Sequence, residues 1–486
     1  MQLRPLAFAF AITLISIHLL AAPLDDLGFP DESNAPEELT QPKIETTPSD
    51  VVPGTPTLDL GLFPQNSATE DSPEQADEMS KIFAAAWAAF RAGDSRECSH
   101  QLRQLVARNP NFPPPDLILI EFHLDAGQRR RAHELLEAFA AEDATHPQLY
   151  LSYARLALAE GRYTEALLHF EKMDQLGPPR GWSDEQQLEF QASVLSGKAT
   201  VAERRGNWDS AARVLTELSR LQSSDVHIRN RLGRALLLDD RQRQAYEQFD
   251  IAYRQDPTVN HPDVAMGTIL LGQGKVEKAN EHFETALKEL PDDGPLNYAW
   301  SMSLLYQDRL QEADTFAKKA EATGIKTHNL LLQRGRIAWA LGRHDEAERY
   351  FQQLVDSSPA NEVAKFYLVL SKASQGDRES RTEAQQIAEE FVKASPNSAA
   401  AVAALGYTQY ALGENAQAEA TLGRVAAFPN VPLEILLAYG KVLAINGDTE
   451  QAKQVAEQLD QRMRKTNIFL TRRAAKTWIE SMRNIP

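Results

Sequence analysis

The chain has 486 residues, 43% of them hydrophobic and 24% charged, the balance of a globular protein with ample material for a core. A formal net charge of −17 argues against nucleic acid as the main partner, because phosphate binding needs a basic face. Cys98 is the only cysteine, which excludes an intramolecular disulfide.

Residues 1–22 read as a targeting segment. Arg4 supplies a positive charge, Leu6 to Leu20 is a nearly unbroken apolar run, and Ala21 and Ala22 are small enough for cleavage. The run is marginal for a membrane span, which needs about 20 apolar residues. The expected product is exported, periplasmic or extracellular. An anchor at residues 6–22 is the alternative, because Leu19 or Leu20 and Pro23 make imperfect cleavage positions. Membrane contact is expected only through this segment if it stays uncleaved. Without a cysteine here, a lipoprotein anchor is excluded.

Residues 23–76 hold nine of the 26 prolines and one lysine against twelve carboxylates, a net −11 that leaves about −7 for the remaining body. Such a composition cannot offset chain entropy by burying apolar surface, so a disordered acidic linker is expected. It is a solvated spacer, or a tail that folds back onto a basic surface. Short apolar islands such as Leu58 to Phe63 are the places for a linear motif.

Helical periodicity begins near residue 77 and carries a 34-residue repeat. The stretch from Asp263 to Pro291 shows the unit: Gly267 in a first helix, Gly274 at a turn, Ala279, Phe283 and Ala286 along a second helix, and Pro291 closing it. Turn residues recur at Gly93, Gly127, Gly161, Gly206, Asp240, Gly274, Asp308, Gly342, Gly376, Gly413 and Gly447, giving eleven units over residues 77–466. Two insertions interrupt the period, eleven residues around Gly177 to Gln187 and three near Arg378 to Arg381, and both are expected in connections. Gly or Asp at the turn tolerates the left-handed backbone that ends a helix. Small residues let paired helices approach, while Phe170, Phe249, Phe283 and Phe351 fill the space between units. Prolines 110, 178, 257, 291, 359 and 396 end second helices. Residues 467–486 form one more amphipathic helix, with Phe469, Ala475, Trp478 and Met482 on its apolar face. It is expected to cap the last unit, with a basic membrane-surface helix as the alternative.

This pattern resembles the tetratricopeptide repeat family, a helix-turn-helix of 34 residues with small, aromatic and proline marks at these spacings. The resemblance implies an all-α, right-handed α-solenoid of about eleven helix-turn-helix units with a C-terminal capping helix. In that family the first helices line a concave side. Carried over by register, one line of first-helix positions holds Trp87, Glu121, Arg155, Thr200, Arg234, Thr268, Met302, Arg336, Leu370, Tyr407 and Lys441. Adjacent lines add Arg204, Asn230, Arg231, Tyr298, Tyr306, Trp339, Phe366 and Tyr410. The expected partner-binding groove is therefore basic in the middle, at Arg155, Arg204, Asn230, Arg231 and Arg234. It is aromatic toward the C-terminus, at Tyr298, Tyr306, Trp339, Phe366, Tyr407 and Tyr410 around Arg336. Arginines and rigid rings commonly anchor interfaces, although rings also fill cores. The two-Lys, two-Asn, one-Arg carboxylate clamp of some family members is not reproduced around Asn230 and Arg231.

Catalytic constellations are scarce. His133-Glu134-Leu135-Leu136-Glu137 lacks the second histidine of a zinc protease helix and reads as a charged helix face. Cys98 takes the place of a small second-helix residue and is expected to be buried and inert. No metal, cofactor or enzymatic activity is expected. The partner is a protein or peptide, with no nucleic acid, and the function is a scaffold holding an extended peptide or helix. The alternative is a membrane-tethered subunit or assembly factor of an envelope complex for pili, secretion or polysaccharide export.

Overall fold

A computed structural model describes residues 73–109, 112–179, 181–325, 327–428, 431–463 and 471–484. The expected targeting segment and nearly all of the acidic linker lie outside the described residues. The fold is all-α, with 23 helices and no strand among the described residues. These helices fall into two compact units that divide at Pro262.

The N-terminal unit contains five hairpins. These are α1 (Pro73–Arg91) with α2 (Ser95–Arg108), α3 (Pro115–Asp125) with α4 (Arg129–Glu142), α5 (Pro147–Ala159) with α6 (Tyr163–Leu176), α7 (Asp184–Arg204) with α8 (Trp208–Leu221), and α9 (Val226–Leu238) with α10 (Gln242–Gln255). The C-terminal unit contains six hairpins and a final helix. They are α11 (Pro262–Gly272) with α12 (Val276–Glu289), α13 (Gly294–Tyr306) with α14 (Leu310–Ala322), α15 (His328–Ala340) with α16 (His344–Ser357), α17 (Glu362–Ala373) with α18 (Arg378–Ala394), α19 (Ala399–Leu412) with α20 (Asn415–Ala426), and α21 (Leu433–Asn446) with α22 (Thr449–Met463), followed by α23 (Arg472–Arg483). Within each unit second helices pack between their own first helix and the next one, as α6 does between α5 and α7 and α14 between α13 and α15, and first helices also touch each other, as α3 does α5 and α17 does α19.

The turns form for the reason the sequence supplies. Ten of the eleven expected turn residues have positive φ, including Asp240 at 64° and Asp308 at 62°, where glycine would carry no steric cost. At the turn between α15 and α16, the Gly342 and Arg343 amides donate to the carbonyls of Trp339 and Ala338, so the last carbonyls of the first helix stay paired. Gly376 is the exception and does not enter the left-handed region. The three extra residues beside it are not a loop but lengthen α18 to 17 residues, with Asp377 accepting the Ser380 amide as N-cap. The eleven-residue insertion is likewise absorbed mostly by helix, because α7 runs to 21 residues behind a Ser183–Gln186 capping box.

The core explains the repeat marks. A Cβ built on Gly267, Gly335 or Gly233 would lie 2.5 Å, 2.6 Å or 2.7 Å from the ring of Phe283, Phe351 or Phe249 in the paired second helix. Each phenylalanine therefore sits within its own hairpin against the glycine, and the other side of Phe283 and of Phe351 meets the next hairpin. Phe283 meets Trp300 edge-on, and Phe351 stacks on Tyr367. Phe170 differs, lying against Gly197 of the following hairpin. The helix breakers also fall where expected: Pro178, Pro257, Pro291, Pro359 and Pro396 each follow directly on a helix C-cap. Helix α23 is shorter than its sequence pattern, and Phe469 lies outside the described residues. It buries Ala475, Ile479 and Met482 against α22, and the Trp478 ring occupies the space left by Gly440 of α21. That is the packing of a cap.

Cys98 is 1% exposed, and burial pushes its thiol pKa up. His133 and Glu137 face solvent and contact each other at 3.3 Å, as expected for a charged helix face. Among the described residues no helix is long and apolar enough to cross a membrane.

Candidate interaction faces of the first helices

First helices bring the twelve expected groove residues into two separate sets, one in each unit. In the N-terminal unit the basic set is largely paired. Arg155 on α5 reaches across to α3, where it meets the buried Glu121 and, at 2.9 Å, Asp125. Ser152 donates to the same Glu121, and burial raises the Asp125 carboxyl above the ordinary range. Arg231 on α9 binds Glu203 of α7 at 2.8 Å and donates to Ser196 and Thr200, each within 3.2 Å. Arg155 and Arg231 are thus ties between adjacent first helices, a correction to the open basic groove expected from register. Arg204 is exposed and Arg234 half-buried, and among the described residues neither pairs with a carboxylate. Asn230 lies on the same helix as Arg234, and its Nδ2 is buried without a hydrogen-bond partner among the described residues.

In the C-terminal unit the aromatic set also divides. Phe366 is fully buried and Trp339 is 5% exposed, so both are packing residues and not groove anchors. The Trp339 indole donates to the Ser374 hydroxyl at 3.2 Å, and that hydroxyl meets the Tyr407 hydroxyl at 3.2 Å, linking α15, α17 and α19. Along the register line Glu121, Thr200, Met302 and Leu370 are buried as well. The physical reason is that adjacent first helices touch, so one stripe of each is covered by its neighbour. Tyr298, Tyr306, Tyr407 and Tyr410 remain half-buried on the first-helix side. Tyr407 and Tyr410 meet edge-on with ring centres 6.1 Å apart. Burial pushes the Tyr298 hydroxyl up to about 12, with Tyr306 adding to the rise and Arg336 opposing it.

Arg336 itself is 6% exposed. Its guanidinium lies 5.5 Å from the centre of the Tyr367 ring on α17. Burial takes the Tyr367 hydroxyl up to about 12 against the opposing pull of Arg336, while Glu434 on α21 adds to the rise. Sequence register did not single out Tyr367 or Glu434. Tyr367 stands one helical turn before Leu370, the register mate of Arg336, so the neighbouring turn was the available signal.

A different arginine two residues away is saturated. Arg334, 3% exposed, contacts Asp314 at 2.5 Å, Glu321 at 3.1 Å and Glu346 at 3.3 Å, and donates to the Tyr350 hydroxyl at 2.7 Å. Burial would raise Asp314, but Lys318, Arg343 and Arg334 together hold its carboxyl below the ordinary range. This network joins α14, α15 and α16 on the second-helix side.

Stacked helical hairpins with half-buried rings and isolated cations along the first helices define a repeat protein of the protein-interaction class. Tetratricopeptide repeat models match residues 123–180 and 197–260 in the N-terminal unit and 328–361, the hairpin of α15 and α16, in the C-terminal unit. Both units therefore carry tetratricopeptide repeats. No curated protein matches the sequence. Among solved structures, a thermophilic tetratricopeptide repeat protein of Thermus thermophilus is similar at 18% identity and TM-score 0.34, over 40% of this chain and 100% of that one. A tetratricopeptide repeat protein of Parabacteroides merdae gives 15% identity and TM-score 0.33, over 60% and 99%. Yeast Tom70 gives 11% and 0.32, over 84% and 96%. The repeat assignment rests on the repeat-model matches and the hairpins themselves.

Proposed function

We propose that the C-terminal unit holds an extended peptide or a partner helix along its first helices, and that the protein acts as a non-enzymatic scaffold. The observation that carries this reading is the set of half-buried rings, Tyr298, Tyr306, Tyr407 and Tyr410, on helices whose opposite faces are spent on packing. Tyrosine offers a large rigid contact area and a polar tip, the combination that anchors interfaces. In the N-terminal unit, Arg204 and Arg234 supply a smaller basic patch suited to an acidic stretch of partner or of the chain's own linker. Export through residues 1–22 belongs to the same proposal and rests on the sequence of that segment. Tethering to an envelope complex is its variant, and N-terminal sequencing of the mature protein separates the two by whether Leu6 to Leu20 remains.

The test is a Tyr306→Ala, Tyr410→Ala double variant of the full chain with unchanged helicity. Two interface anchors lost together should weaken recovery of the co-purifying partner by at least about thirtyfold, since an anchor is worth about 2 kcal/mol or more. Unchanged recovery from the same native extract would overturn the assignment of this face.

A further inference from the structure

The junction between the α13–α14 hairpin and the α15–α16 hairpin departs from its neighbours in the C-terminal unit. In the hairpins α11–α12 and α15–α16 a glycine of the first helix meets a phenylalanine of the second, Gly267 with Phe283 and Gly335 with Phe351. Each ring goes on to meet an aromatic side chain of the next first helix, Trp300 or Tyr367. The same register in α13 and α14 holds Ser301 and Ala317, both fully buried. On the facing helix α15 the register of Trp300 holds Arg334, and that of Tyr367 holds Gln333. A buried amide thus lies where rings lie elsewhere. Gln333 donates to the Ser301 hydroxyl at 2.8 Å, and that hydroxyl donates to the Ala313 carbonyl at 2.6 Å. The side-chain oxygen of Gln333 is buried and accepts no hydrogen bond among the described residues. The outer edge of the junction is fastened by charge, because Arg334 contacts Asp314 and Glu321 of α14. Ile325 stands at the register of Pro291 and Pro359, so the connection into α15 lacks the stiffening proline. The α17–α18 hairpin also has alanine in place of the phenylalanine, Ala388, but sets it with the apolar Val369, and both are fully buried.

We propose that this junction is a polar joint, the place where the C-terminal unit opens and bends without unfolding. Stability in a stacked array is a sum of hairpin terms and nearest-neighbour interface terms, so one weak interface can open by itself. Sub-global openings follow the interfaces with the least buried apolar contact. Wetting the ring contacts of Phe283 with Trp300 or of Phe351 with Tyr367 loses apolar burial and gains nothing in return. Wetting the Ser301–Gln333 contact gives the orphaned Gln333 oxygen the donor it lacks. Water also solvates Arg334, Asp314 and Glu321 as they separate, which offsets part of the lost charge contact. The joint lies between α13, which carries Tyr298 and Tyr306, and α19, which carries Tyr407 and Tyr410. A bend there changes the spacing of the two tyrosine pairs, and this consequence alone rests on the reading of that side as the binding face.

The experiment uses two variants of the full chain, Ala317→Cys at the joint and Ala388→Cys at its equally buried counterpart in α18. Each is treated with N-ethylmaleimide under native conditions, and peptide-resolved mass spectrometry follows the new thiol beside the native Cys98 as internal reference. Ala317→Cys should label at least about tenfold faster than Ala388→Cys, the factor that one buried acceptor regaining a hydrogen bond on opening supplies. Adding Ser301→Ala and Gln333→Leu removes the polar pair and the orphaned oxygen together and leaves apolar groups of similar shape. That combination should bring the rate at position 317 down to the rate at position 388. Labelling at 317 no faster than at 388, or a rate at 317 that the apolar pair leaves unchanged, overturns the proposal. Should the combined variant fail to fold, the comparison of the two single cysteines decides alone. Neither measurement involves a partner, so failure of the joint leaves the tyrosine face standing, and failure of the tyrosine variants leaves the joint standing.

Discussion

Arg334→Met is the most informative single substitution for the energetics of the C-terminal unit. It removes a buried cation and strands the side chains arranged around it. Breaking a buried ion pair from one side costs about 3–5 kcal/mol when the remaining charge has no other partner. Here the stranded groups keep some support. Asp314 retains Lys318 at 2.8 Å and Arg343 at 2.9 Å, and Glu346 retains Arg343 at 2.7 Å. The Glu321 side chain is 40% exposed and can rehydrate. The expected loss is therefore at the low end, about 2–3 kcal/mol. For a unit of this size that lowers an apparent melting temperature by about 4–12 °C. Arg336→Met is the matched control. It gives up the cation–π contact and hydrogen bond with Tyr367 but removes a buried charge that no carboxylate pairs among the described residues, so the protein should melt within a few degrees of the parent. The Arg334 effect also has a pH sign. Asp314 titrates below the ordinary carboxylate range in the folded state, so its contribution is present above that range and is lost as pH falls through the folded value. The gap between parent and Arg334→Met should accordingly narrow in acid. Circular dichroism melts at neutral and acidic pH measure all of this. Equal destabilisation by the two substitutions, or a gap that widens in acid, would refute the reasoning.

Gly335→Ala places a Cβ 2.6 Å from the Phe351 ring and should cost about 1–3 kcal/mol in urea unfolding, partly recovered by adding Phe351→Leu. Trp478→Ala should empty the space over Gly440, cost about 2–3 kcal/mol, and raise hydrogen exchange in α21 and α22 while leaving the N-terminal unit unchanged. Tyr298 and Tyr367 should resist ionisation up to about pH 12 in an ultraviolet titration. Because their folded values lie above the ordinary phenol value, their stabilisation is complete below pH 10 and is lost between about 10 and 12, where alkaline unfolding should begin. Cys98 should react with a thiol reagent only as fast as the N-terminal unit opens.

The hairpin count was legible because it depends on residue type at fixed spacing, whereas the phenylalanines expected between units sit, in Phe249, Phe283 and Phe351, against the glycine of their own hairpin. Spacing marked Gly267 and Phe283 as repeat positions but did not pair them, and the fit of Trp478 over Gly440 came from the structure alone. The insertions were misplaced because spacing locates extra residues without saying whether they lengthen a helix or a loop. In α7 and α18 they lengthen helices. The candidate faces were legible only by register. Register aligns equivalent positions along successive first helices, but the degree of cover depends on how closely those helices approach. Hence Arg234 stays half-buried while Leu370, on the same line, is fully buried. Pairing was hidden for a similar reason. Arg155 and Arg231 look like groove cations until Glu121 and Glu203, one hairpin earlier, are seen beside them.

The assignment of the binding face to the first helices of the C-terminal unit is a proposal about where a partner sits. It is tested most directly by placing a photo-crosslinking amino acid singly at Tyr306 and Tyr410, and at the exposed second-helix positions Lys319 and Gln352, in the full chain in its native cells. A discrete adduct should form from positions 306 and 410 and none from 319 or 352. Adducts confined to 319 and 352, or equal yields from both faces, would contradict it.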